Sequence, residues 1–228
     1  MRTLFHLFTK PRFALEQIKS KPRWLTTFFL LSATSIFIYV LMHPYLVQAT
    51  LSHLPLSATD EEKEIVAQTL QDELLLRCWF LQIRLLIGWS SFALVLFMIC
   101  RALNPPKGIR FAKMFALEVH AEVVNILAQL ATLTYLFARG DEGVNQVRCI
   151  PFSAAMFVRT DILVSFSLLN SLNVFTLFYI ALLSMGVSVQ SGCSRTKSFV
   201  IVLLTWLGFF LFNISALALL RDVMHLLI

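Results

Sequence analysis

"LFTKPRFALEQIKSKPRWLTTFFLL" runs from Leu7 to Leu31, carries Lys-Pro-Arg at Lys10–Arg12 and again at Lys21–Arg23, and then turns apolar without a break. The apolar run continues from Trp24 to Met42, close to the roughly 20 residues an α-helix needs to cross a bilayer. Proline suits the first helical turn and cannot continue a helix, because it lacks a backbone donor and restricts the residue before it. The doubled tripeptide therefore punctuates a short helix that starts at Pro11 and ends at Lys21-Pro22. Phe13, Ala14, Leu15 and Ile18 of that helix are expected on lipid and Arg12, Glu16 and Lys19 in water, as in an interfacial helix. Lys10, Arg12, Lys19, Lys21, Arg23 and Trp24 are the expected lipid-interface residues. "LFHLF" is too short for the apolar part of a signal peptide and no small-residue cleavage site follows, so no cleaved leader is expected.

Composition extends this reading to the whole chain. The 228 residues are 58% hydrophobic and 14% charged, with 21 phenylalanines, whereas soluble domains are about half apolar and about a quarter charged. Mean hydropathy is +0.77. Lipid acting as solvent accounts for the excess, and the expected fold is an all-α polytopic bundle of five transmembrane helices with a short interfacial helix in front. The remaining crossings are read at about Arg84 to Cys100, Phe115 to Phe137, Ile162 to Val189, and Phe199 to Leu220. The second is short after Arg84, so its helix is expected to extend back through "LLLRCWFLQIR" with Arg77 and Arg84 snorkelling towards the outer interface or facing protein.

The net charge of +6 excludes little by itself, but its placement between apolar runs argues against nucleic acid, which needs a gathered basic face. Lys and Arg alternate instead with acids from connection to connection. Arg2, Lys10, Arg12, Lys19, Lys21 and Arg23 precede the first crossing; Arg101, Lys107, Arg110 and Lys113 follow the second; Arg195 and Lys197 follow the fourth. The first connection is acidic, with Asp60, Glu61, Glu62, Glu64, Asp72 and Glu73, and the third is balanced. Basic loops stay cytoplasmic, so the N-terminus is expected in the cytoplasm and the C-terminus outside. "TDEE" at Thr59–Glu62 is a capping-box pattern, and the helix it starts is expected to run unbroken into the second crossing. Pro44 and Pro55 are expected to bracket the loop before it, and Pro105-Pro106 with Gly108 to make the next cytoplasmic turn.

The third crossing, "FALEVHAEVVNILAQLATLTYLF", is the richest in polar groups. Glu118, Glu122, Asn125 and Gln129 repeat at spacings of four, three and four and so form one stripe along a helix. Ionisable groups inside a membrane are costly and are functional candidates by default. At the depth of Glu122 the other crossings offer Ser32, Thr34 and Ser35 but no lysine or arginine. Two readings stand: a proton- or ion-responsive site, and a carboxyl that ties helices together by hydrogen bonds, the second being the expectation. His120 faces away from both glutamates on a helix, so a shared metal site is not expected. Arg84, Gln129, Asn173 and Asn213 fall about two-thirds of the way up when the helices are aligned by depth, and are expected to form a polar layer that selects helix partners. Cys78, Cys100, Cys149 and Cys193 have no metal spacing; Cys78 and Cys149 share the outer side, where a disulfide is permitted and unpaired thiols are expected. No nucleophile elbow, phosphate loop or metal motif occurs, so no enzymatic activity and no cofactor are expected.

The opening "LFTKPRFALEQIKSKPRWL" and the closing "LLNSLNVFTLFYIALLSMGVSVQSGCSRTKSFVIVLLTW" together resemble bacterial proteins of the Yip1 domain family. The second stretch is similar to that family's fourth and fifth helices, with Asn173 where an acid is common and Phe178 where tryptophan is common. The resemblance implies a single five-helix membrane domain over 1–228, with 1–23 as the cytoplasmic interfacial segment and about 24–220 as the bundle, in the bacterial inner membrane. It supplies no biochemical activity. The expected partners are membrane lipids and a membrane-protein partner or second copy, with a small transporter or channel built on the third-crossing stripe as the alternative.

Overall fold

The computed structural model describes residues 2–52, 54–55, 57–103, 109–139, 150–157 and 163–226, and side-chain surroundings are described up to 216. It is an all-α polytopic bundle with five helices long and apolar enough to cross a membrane, and among the described residues there is no strand. The Pro105-Pro106-Gly108 turn, Cys149 and the charged third connection from Asp141 to Glu142 lie outside the described residues.

Helices α1 (Arg2–Thr9) and α2 (Pro11–Ser20) form a hairpin ahead of the bundle, with Pro11 in the first turn of α2 as its fixed φ favours. Thr3 Oγ1 donates to Gln17 Oε1 across it at 3.2 Å, and His6 meets the Phe13 ring edge-on. The expected lipid face of α2 is corrected here. Leu7, Ala14, Leu15 and Ile18 are at most 2% exposed and join the core formed by the later helices, while Phe13 stays 56% exposed. The lipid-like surface that claims these side chains is protein.

The first crossing, α3 (Leu25–Leu51), runs past its expected end at Met42 with Pro44 inside it. Pro44 thus does not bracket a loop. One backbone bond is lost there, but the helix on both sides of it packs Met42, Tyr45, Leu46 and Ala49 around Leu136, and the Tyr45 ring meets Phe137 edge-on at 5.9 Å. α4 (Asp60–Asp72) starts with the capping box in place: Thr59 N donates to Glu62 Oε2 at 2.7 Å and Glu62 N to Thr59 Oγ1 at 3.2 Å. It does not run unbroken into α5 (Leu74–Leu103). A turn at Glu73 separates them, although Glu73 N still donates to Thr69 O and Arg77 N to Glu73 O. α4 packs on the end of α3, where His43 Nε2 lies 3.2 Å from Leu70 O. The backward extension of α5 past Arg84 is as expected, and Arg77 pairs with Glu73 at 2.7 Å.

The third crossing comprises α6 (Phe111–Ala121) and α7 (Val123–Arg139), with a single turn residue, Glu122, between them. The fourth departs from its expected continuous course. α8 (Leu163–Ser171) stops, and α9 (Val174–Ser191) begins afresh with Asn173 as its cap: Thr176 N donates to Asn173 Oδ1 at 2.8 Å. Asparagine competes for backbone bonds better at a cap than inside a helix. The segment around Ser153 holds the break, with Ala154 N donating to Leu172 O and Ile150 N to Asn170 Oδ1. Gly192, at φ 70°, ends α9 in the left-handed conformation that glycine tolerates, and α10 (Arg195–Leu226) returns across the bundle. α9 is central, touching α2, α6, α7 and α10, while α3 packs on α5 and α7.

Candidate functional site

Glu118 and Glu122 sit one helical turn apart on the inward face of the third crossing, 1% and 8% exposed. Tyr179, projecting from α9, donates its hydroxyl to Glu118 Oε1 at 2.5 Å. Asn125 Nδ2 donates to Glu122 Oε2 at 2.9 Å. Glu118 Oε2 receives no donor from the described residues. No ion pair among the described residues involves either one. Chemically, two such carboxyls can hold a proton between them, which supplies the missing donor without a basic partner.

The turn at Glu122 is part of this geometry. Its carbonyl accepts from both Asn125 N and Ile126 N, at 3.0 and 3.1 Å, so the backbone ladder shifts partners where the second carboxyl leaves the helix. Gln129 continues the stripe but looks elsewhere, accepting from Ser35 Oγ on α3 at 3.1 Å. Of the other hydroxyls expected near Glu122, Thr34 donates back to Leu30 O, and Ser32 Oγ has no partner among the described residues.

His120 points away from the glutamates, as its register requires. Its Nδ1 donates to Ala116 O at 2.7 Å, since a carbonyl only accepts, and Nε2 meets Thr27 Oγ1 at 3.1 Å. Among the described residues no group of three His, Cys, Asp or Glu could hold a metal ion. Cys78 and Cys100 are buried thiols.

The expected polar layer does not form. Gln129 bonds to Ser35; Asn173 is buried at the head of α9, where its Nδ2 donates to Asn170 O. Arg84 and Asn213 are exposed and line a groove between α5 and α10. Similar depth along separate helices did not bring all four groups together, because helix rotation turns Gln129 and Asn173 toward other neighbours and leaves only Arg84 and Asn213 in one groove.

The basic interface residues also divide. Lys10 and Arg12 are exposed, and Arg12 pairs with Glu16. Lys19 Nζ donates to the Val189 carbonyl at 2.6 Å, binding α2 to the end of α9, where a cation suits the helix dipole. Lys21 and Arg23 border a polar cavity of about 330 Å³ whose inner wall includes His120. Trp24 turns inward and meets the Phe115 ring edge-on at 4.9 Å. Sequence reasoning missed Tyr179 as the partner of Glu118. The only signal was a polar-tipped aromatic inside an apolar run.

Compared with known proteins, the chain matches no family model, no curated protein and no solved structure.

Proposed function

We propose that this chain is a non-enzymatic integral protein of a bacterial inner membrane, of the Yip1 domain kind, acting through contacts with lipid or with a membrane-protein partner. The observation that carries this reading is the fate of the polar stripe. Glu118 is bonded to Tyr179 and Gln129 to Ser35 across helices, and Glu122 accepts from Asn125, with both carboxyls buried and Asn125 and Gln129 half-buried, as in groups that hold helices together. What the bundle offers to other molecules is then its outside. In this reading the N-terminus is cytoplasmic and the C-terminus extracytoplasmic, in keeping with the basic residues before α3, after α5 and after α9. Reporter fusions at the two ends are expected to light up in opposite compartments; activity on the same side for both defeats the arrangement.

A transporter or channel is the second reading, and the break at Leu172-Asn173 favours it. Interrupted crossings are where transporters place their binding sites. Purified protein in liposomes separates the two. The first reading expects no proton or cation leak above that of protein-free liposomes, for wild type and Glu122→Gln alike. A leak carried by the wild type and lost in Glu122→Gln establishes the second.

A further inference from the structure

The outer surface holds one polar feature that the interior does not explain. Between α5 and α10 runs a groove of about 890 Å³, apolar along most of its length through Ile87, Val95, Ile99 and Leu204. Gly88 and Gly208 keep it open, since a Cβ added at either would meet nothing within 4 Å. At one end stand Arg84 and Asn213. Arg84 is exposed and makes no ion pair or hydrogen bond among the described residues, whereas Arg77, two turns away, is paired. Asn213 Nδ2 gives one hydrogen to Phe209 O and keeps the other.

Depth says what can meet this cation. At a helical rise of about 1.5 Å per residue, Arg84 stands about 25 Å from Arg101 and Asn213 about 24 Å from Lys197. Two helices thus place the same polar pair several ångströms short of the far edge of a hydrocarbon core about 30 Å thick, from where the long Arg84 side chain can snorkel to the headgroups. From there the groove descends about 22 Å to Ile99, more than the roughly 15 Å of one leaflet.

We propose that this groove holds a glycerophospholipid of the leaflet opposite the basic turns, its phosphate on Arg84 and Asn213 and one acyl chain along Gly88 and Gly208. The inference rests on the membrane reading above and gives it a site. Guanidinium is suited to phosphate by charge and by its forked donors. Among the residues whose surroundings are described, no acid of a second copy is set in a span to supply the counter-charge: Glu118 and Glu122 are buried, and the others lie on α2, α4 and the turn at Glu73.

The full chain is reconstituted in liposomes of phosphatidylethanolamine and phosphatidylglycerol carrying a trace of phosphatidylglycerol with a photoactivatable acyl chain, and the labelled peptides are mapped after irradiation. Label is expected to concentrate on groove residues of α5 and α10 above the level at Phe29 and Phe37, two exposed side chains of α3. Gly208→Leu fills the trough without touching the core and removes the groove label, leaving that at α3. Arg84→Gln lowers it about tenfold, the worth of one charged hydrogen bond, and Arg84→Lys retains most of it. Groove label no higher than at α3, groove label indifferent to both Gly208→Leu and Arg84→Gln, or crosslinks between two copies at the groove each overturn the proposal. Protein that takes no label on any span defeats the membrane reading itself, a separable result.

Discussion

Gly186→Val lowers the thermal unfolding midpoint of the detergent-purified protein by roughly 5 °C or more, the effect of forcing extra methyl groups into a filled core. Gly186 lies where α9 crosses α6, and a Cβ built on it runs into the Leu117 side chain. Leu117 cannot swing aside, being 1% exposed among Met114, Leu182, Leu183 and Val187 of the same core. Between helices in lipid, close approach through small residues is a main source of attraction, because the tails outside are as apolar as the side chains inside. Gly88→Ala and Gly208→Ala are the controls. Their added methyls meet open space, and alanine is the better helix former by about 1 kcal/mol, so their midpoints stay level or rise. Unfolding midpoints that fall equally for all three variants refute the close crossing.

Leu15→Asp frees the N-terminal hairpin while the five crossings stay folded. Leu15 is 1% exposed, and removing such a side chain costs about 2–5 kcal/mol even before a carboxylate is left facing apolar neighbours. Undocking α1 and α2 is the cheaper response, since they join the bundle through a small set of side chains, Leu7, Ala14, Leu15 and Ile18 with Leu4 and Phe8 beside them, and through the Lys19 bond to Val189. Trypsin then cuts at Lys19 and Arg23 much faster than in the wild type, while the thermal midpoint moves little. Phe13→Asp is the informative companion. Phe13 faces outward, so a hairpin held by protein tolerates it and a hairpin held by lipid does not. Rapid cleavage in Phe13→Asp with slow cleavage in Leu15→Asp contradicts the docked arrangement.

Much of the fold is written locally. The five apolar runs, the capping box at Thr59 and Glu62, and the reach of α5 back past Arg84 all follow from neighbours in the chain, because hydropathy and capping act over one or a few turns. The candidate site was half legible. Spacing put Glu118, Glu122, Asn125 and Gln129 on one stripe, yet nothing in the sequence pointed to Tyr179 as the donor to Glu118 or sent Gln129 to Ser35. Pro44 inside α3 and the break before Asn173 escaped for a related reason. Whether a helix survives a proline or stops at an asparagine depends on what packs beyond it, here Leu136 in one case and the Ser153 segment in the other.

The amino-acid sequence alone determined that this protein is a five-crossing helical bundle, roughly where its apolar runs lie, and which residues of the third crossing bear the polar stripe. Only the tertiary structure decided that the face of α2 meets α9 rather than lipid, that Arg84 and Asn213 open onto a groove, and that the carboxyls are closed in. The physical reason is that lipid and protein interior are equally apolar solvents for a side chain. A hydrophobic pattern therefore marks a face as dry without naming its neighbour, and the neighbour is chosen by shape and by hydrogen bonds that form only once the helices have met.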